Sequence, residues 1–184
     1  MKKGLVSLAI IGLLAGCSVS IKGNTPSKNV SYPQEAEMQA DDFVYKLYTE
    51  KETYNEFEET AIYAELTYVG DQESIVISHA ASPFYFPIKE LTRNYEIDYA
   101  MNEPLIHTTL KKGVPLKVKY EFAGGYSDED EAAKREFIQT IVDKGFPTGK
   151  YVVSGSAQFY VESSIEGENP NSYDMRVNIG FDVR

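Results

Sequence analysis

The chain has 184 residues, of which 28 are acidic and 18 are Lys or Arg, for a formal net charge of −10. That length suits one domain with a single core, and the acidity argues against nucleic acid, whose binders carry a basic footprint. Cys17 is the only cysteine, which excludes a disulfide within the chain and leaves the fold to be held by its core.

Lys2 and Lys3 open the chain, Leu5 to Leu14 is an apolar run broken by Ser7 and Gly12, and small residues lead up to Cys17. These are the parts of a secretory signal, and the run is shorter than the roughly 20 residues that cross a bilayer. Leu14-Ala15-Gly16-Cys17 resembles the lipobox of bacterial lipoproteins. The resemblance implies that residues 1–16 are a signal peptide that is removed. It also implies that Cys17 becomes the first residue of the mature chain with a diacylglycerol on its thiol, and that the protein sits lipid-anchored on the extracytoplasmic face of the cell membrane. Two acyl chains hold a protein to a membrane stably where one does not. Acylation would also exclude Cys17 from thiol catalysis. Removal of residues 1–16 takes away two lysines and no acid, so the remainder is more acidic still and is repelled by anionic lipid and wall polymers.

Residues 17–40 read as a flexible tether: Gly23, Asn24, Pro26, Ser27, Asn29, Ser31 and Pro33 dominate, with few large apolar side chains to offset the entropy of ordering. Glu35 to Asp42 is polar and fits no more than a loose helical turn. The folded domain is expected over 41–184. From Phe43 the apolar period becomes two: Phe43, Tyr45 and Leu47, then Ile62, Ala64, Leu66 and Tyr68, separated by the acidic loop Asn55 to Glu59. Gly70-Asp71-Gln72 marks a turn, and Ser74 to Ser78 reads as the returning strand. Phe84, Phe86 and Ile88 form a short strand bounded by Pro83 and Pro87; prolines cannot donate to a ladder, so this strand belongs at an edge or at a switch between sheets. Tyr95 to Tyr99, Leu105 to Leu110 and Leu116 to Phe122 alternate in turn, the last two joined by Lys111-Lys112-Gly113.

One segment has helical spacing instead. Ser127 is a good N-cap with acids behind it, Ala133, Phe137, Ile138, Ile141 and Val142 fall on one stripe, and Gly145 with Pro147 closes it. These features predict a helix over 128–144. Strands resume at Tyr151 to Val161, with Gly155 as a bulge or a close contact, and at Met175 to Val183 after a loop at Glu166 to Asn171. About nine short strands with one inserted helix predict a mainly β fold, an Ig-like antiparallel β-sandwich.

Leu110-Lys111-Lys112-Gly113-Val114-Pro115-Leu116 is a Leu-x-x-Gly turn before a strand, and Gly149-Lys150-Tyr151 is a Gly-x-Tyr that opens one. Both resemble bacterial Ig-like sandwiches, and the layout from Tyr45 to Val161 is similar to the BsuPI-type intracellular proteinase inhibitor family. That resemblance implies the sandwich fold. The helix and the membrane address depart from an intracellular inhibitor, and no inhibitory residue carries over.

No constellation in the sequence specifies catalysis, a cofactor or a metal. His79 and His107, the only histidines, lack metal-ligand spacing, although a pair of imidazoles with nearby acids suits zinc or copper. Ser154-Gly155-Ser156 is strand sequence and not a nucleophile elbow. Asp128, Asp130 and Glu131 lack the alternation of a calcium loop and fit helix-terminal acids. The richest stretch is His79 to Pro87, where Ser82, Phe84, Tyr85 and Phe86 are the candidate binding residues because aromatics between prolines give stiff contact area. Phe84 and Phe86 share one face and fit the core equally well; Tyr85 points the other way. The reading is a non-catalytic module at the cell envelope that binds a protein or ligand, with an envelope protein or peptide as the expected partner. An extracytoplasmic proteinase inhibitor is the alternative, and a metal-dependent protein using His79 and His107 comes third.

Overall fold

The computed structural model describes residues 31–162 and 169–184. The predicted signal peptide, Cys17 and the predicted tether up to residue 30 lie outside the described residues, as do residues 163–168 with part of the predicted 166–171 loop. The elements are β1 (Glu35–Ala40), β2 (Phe43–Thr49), β3 (Thr53–Tyr54), β4 (Ile62–Tyr68), β5 (Ser74–His79), β6 (Phe84–Tyr85), β7 (Ile88–Glu90), β8 (Tyr95–Ile97), β9 (Ile106–Lys111), β10 (Leu116–Lys119), α1 (Ala132–Lys144), β11 (Gly149–Val161) and β12 (Asn171–Val183).

They build a mainly β sandwich with one helix. One sheet has the order β1-β2-β4-β10; the other runs β3-β12-β11-β5-β9, with β6 and β7 also on β11 and β8 on β7. Pairing is antiparallel except for β3, which runs parallel to β12. Alternation decides which face is buried: Phe43, Tyr45, Leu47, Ile62, Ala64, Leu66 and Tyr68 from one sheet meet Phe84, Ile88, Val153, Ala157, Phe159, Ile179 and Phe181 from the other. Rings interlock across the layer, with Phe43 edge-on to Phe159 at 4.8 Å between centroids, and within one sheet, where Tyr151 stacks on its cross-strand partner Phe181 at 5.0 Å.

Two expectations change, and at Gly155 one of two alternatives is decided. Glu35–Ala40 is a strand, not a tether or helical turn: it pairs with β2 from Glu35↔Tyr48 to Ala40↔Phe43, and Pro33 O accepts a hydrogen bond from Gly180 N just before it. Its inward residues, Ala36, Met38 and Ala40, are small or flexible enough to pack on the core at half burial. Gly155 carries no bulge. The β11–β12 register passes through Gly155↔Val177 unbroken, and the glycine serves close contact, because a Cβ there would stand 2.7 Å from both Tyr45 Oη and Leu47 Cδ2. The helix starts at Ala132 rather than 128. Ser127 spends its groups on a turn of its own, where its N–H donates to Asp130 Oδ2 at 2.8 Å and its Oγ accepts from Glu129 N at 3.2 Å, which competes with helix entry. Glu131 takes the N-cap position without a side-chain cap. The buried stripe is narrower than predicted: Phe137, Ile138 and Ile141 are buried, Ala133 and Val142 exposed. Phe137 lies 5.4 Å from the Tyr95 ring, with the Arg93 guanidinium 5.2 Å from its centroid, so the helix covers the β7–β8 hairpin.

That hairpin turns on a buried carboxylate. Glu90 is fully buried; its Oε1 accepts from Thr92 N at 2.8 Å and from Lys150 N at 3.4 Å, and its Oε2 from Arg93 N at 2.6 Å. Burial pushes its pKa up, but the hydrogen bonds from Thr92, Arg93 and Lys150 outweigh burial and hold it below the usual carboxylate range. Gly149 is glycine for this reason: a Cβ there would meet Glu90 Oε1 at 2.7 Å.

Two outcomes are expected. Phe137→Ala should destabilise the fold by about 3–5 kcal/mol; a melting temperature equal to wild type would mean the helix stands free. Glu90→Gln places an amide N–H₂ among backbone donors and should cost about 2 kcal/mol near neutral pH. Because the folded carboxyl has the lower pKa, its contribution is present above the unfolded value and fades as pH falls through the folded one. The gap in denaturation midpoint between wild type and Glu90→Gln should therefore narrow from pH 6 towards pH 3; a constant gap would contradict the linkage.

Candidate functional site

The predicted binding stretch lies on β6, along the edge of β11 opposite β12. Tyr85 pairs with Ser156 and Phe84 with Ala157. Pro83 and Pro87 point their carbonyls at β11, accepting from Gln158 N at 2.7 Å and Ser154 N at 2.9 Å. The outer edge of β6 meets no strand among the described residues. Loop 98–104 lies there instead: Ala81 N donates to Asn102 O, Ser82 N to Met101 Sδ, and the Tyr99 ring stands 5.5 Å from Phe86 and 6.4 Å from Tyr85. The edge position inferred from the prolines is therefore occupied by the chain's own loop.

The four candidate residues divide. Phe84 and Phe86 are fully buried in the core, so neither forms part of a surface. Ser82 is half-buried, and its Oγ accepts from Phe84 N at 3.1 Å, a turn contact. Tyr85 alone faces outward, half-exposed. Burial raises its phenol pKa, and Glu103 and Tyr160 raise it further. Tyr160, about half exposed, stands on the same face of β11 as Ser156, the partner of Tyr85, so Tyr85 and Tyr160 share one tyrosine surface; Tyr99, packed on the core against Phe86 and Tyr120, borders it at Tyr85, and the sequence stretch indicated this surface only in part.

The histidines do not meet. Ser78 faces His107 in the β5–β9 register, and His79 faces Ile106, so the two rings lie on opposite sides of that ribbon. His79 is buried, with Nδ1 2.7 Å from Ala80 O and Nε2 2.8 Å from Thr108 Oγ1. His107 Nδ1 is 2.9 Å from Ser78 Oγ. Among the described residues no group of three or more His, Cys, Asp or Glu is placed to hold a metal ion.

A concavity not indicated by any sequence motif opens at one end of the sandwich. It holds about 420 Å³ between the 57–60 loop, the end of β10 through Phe122, and the exit of α1 at Lys144–Phe146. Tyr120 and Phe146 are buried in its floor; Phe57 is partly exposed, and the Lys144 ammonium is 5.6 Å from its ring. Two carboxylates in the wall are already engaged, Glu58 by Lys51 and Glu59 by Lys119. Phe57 has φ +63° at the third position of a turn closed by Glu58 N to Asn55 O at 3.0 Å. That site ordinarily takes Gly or Asn, and a ring there costs on the order of 1–2 kcal/mol. The only sequence signal was an aromatic residue inside an acidic loop.

No family model matches this chain, and no match was found among curated proteins or solved structures.

Tyr85→Ala is expected to lower stability by no more than about 1 kcal/mol, whereas Phe84→Ala, from the same two-residue strand, should cost about 3–5 kcal/mol. Equal losses in urea denaturation would place Tyr85 in the core and remove it from the surface.

Proposed function

We propose that this chain is a lipid-anchored, extracytoplasmic envelope protein that acts by binding a protein or peptide and not by chemistry. The observation that carries the anchoring is Leu14-Ala15-Gly16-Cys17 at the end of a short apolar run behind two lysines. The support for binding is the tyrosine surface at Tyr85 and Tyr160, bordered by Tyr99, since tyrosine gives rigid amphipathic contact area at small entropic cost. Anchoring by lipid suits an acidic chain, because its charge would not hold it to an anionic surface.

The experiment is Cys17→Ala in a bacterial host, followed by membrane fractionation and fatty-acid labelling. Wild type should be cut before Cys17, labelled and membrane-bound; the variant should be unlabelled and either uncleaved or released. A variant that is still processed, labelled and retained would overturn the anchoring. For the binding part, the partner cross-linked to wild type in its own membranes should be recovered in lower yield with Tyr85→Ala at unchanged expression.

A further inference from the structure

Strand β10 leaves the sandwich open along one side. Tyr120 N donates to Ile62 O at 2.8 Å, so the register Leu116↔Leu66 and Val118↔Ala64 places those residues in hydrogen-bonded pairs. The N–H and C=O of Lys117 and Lys119 then face away from β4. Among the described residues β10 pairs with no second strand. Its core-facing Leu116 and Val118 are only half-buried, while every core-facing residue of β2 and β4 is buried.

Edge lysines often guard such a strand by charge, but here both are drawn onto the outer face of the sheet. Lys117 Nζ lies 4.1 Å from the Tyr63 ring centroid and donates to Tyr48 Oη at 2.5 Å; Lys119 is paired with Glu59. The edge therefore presents main-chain groups whose neighbouring ammoniums are held away from it, Lys117 by Tyr48, Tyr63 and Glu65 and Lys119 by Glu59. At its C-terminal end, where Lys119 and Tyr120 pass into Phe122, the edge runs into the cleft of about 420 Å³. There Phe57 is held at a positive φ, and backbone strain of this kind collects at ligand clamps. Lys144 at the cleft has no carboxylate partner among the described residues.

We infer that the β10 edge and this cleft form one binding site for an extended peptide. The peptide adds a strand to β10, covers Leu116 and Val118, and places an apolar side chain on Phe57 with one acidic group against Lys144. Main-chain hydrogen bonds supply affinity in this mode and the pocket supplies selectivity. Glu121, also in the wall, disfavours a second acid. The site is on the opposite sheet from Tyr85; Tyr99, 6.4 Å from the Tyr85 ring and 6.1 Å from Tyr120 in the cleft floor, stands between the two.

The test uses the processed full chain in detergent and a fluorescein-labelled peptide of alternating threonine and valine that ends in phenylalanine and glutamate. Fluorescence anisotropy should show saturable binding. Lys117→Pro removes an outward N–H that β4 does not use, a substitution edge strands accept, and Lys144→Glu reverses the charge at the cleft. Each should weaken binding by about tenfold or more, and Tyr85→Ala should leave it unchanged. The same peptide with alternate backbone amides N-methylated should not bind wild type; that comparison decides the matter should Lys117→Pro lower the melting temperature. No saturable binding at millimolar peptide, equal affinity for the methylated peptide, or full affinity in Lys144→Glu would each overturn the inference.

Discussion

The structure depends on the unbroken ladder between β11 and β12. Thirteen consecutive pairs, from Gly149↔Val183 to Val161↔Asn171, hold these strands together, and that length fixes the inward face of one whole sheet. Everything on the far side of β11 has to match a strand of the same length. The chain meets it piecewise, with β7 at Tyr151–Val153, β6 at Ser156–Ala157 and β5 at Tyr160–Val161. Pro83 and Pro87 fall between the pieces and contribute carbonyls only. Their missing N–H groups cost nothing towards β11, and they end the regular pairing on either side of Tyr85.

With no disulfide available, cohesion comes from rings. The chain has 14 tyrosines, 9 phenylalanines and no tryptophan, and a buried tyrosine needs a partner for its hydroxyl. Tyr54 Oη finds Thr49 Oγ1 at 2.6 Å, and Tyr151 Oη donates to Pro147 O at 2.6 Å. Tyr45 Oη has no partner among the described residues; it occupies the notch left by Gly155. That pairing of a tyrosine on one sheet with a glycine on the other is what lets the two layers approach at the centre of the core.

The strands that carry large apolar residues at period two were legible in the sequence, because a face that buries Phe43, Tyr45 and Leu47 admits only one register. Strand β1 was not, since Ala36, Met38 and Ala40 give weak alternation among acids, and its order comes from pairing with β2. The helix start was misplaced because Ser127 can cap a turn as well as a helix, and sequence alone does not rank the two. Tyr85 was separable from Phe84 and Phe86 by alternation. The cleft could not be read: its walls come from residues near 57, 120 and 145, joined only by the closure of the sandwich.

Two of the sheet edges, β6 and β10, make opposite use of the same deficit. At β6 the prolines withdraw donors, and the chain supplies its own cover through the hydrogen bond from Ala81 to Asn102 and the ring of Tyr99. What that edge offers a partner is side chains on its outer face. At β10 the one adjoining proline, Pro115, lies before the strand, and among the described residues loop 98–104 meets only the chain beyond it, where Ala100 N donates to Ala123 O, so a row of main-chain groups lies beside half-buried Leu116 and Val118. An exposed edge of this kind invites pairing with an extended chain. Its shortness, four residues, limits how many hydrogen bonds it can offer, so recognition there has to draw on side chains at its end. The cleft containing Phe57 and Lys144 lies at that end, which is why the strained turn and the open strand are more economically explained as parts of one site than as two unrelated defects.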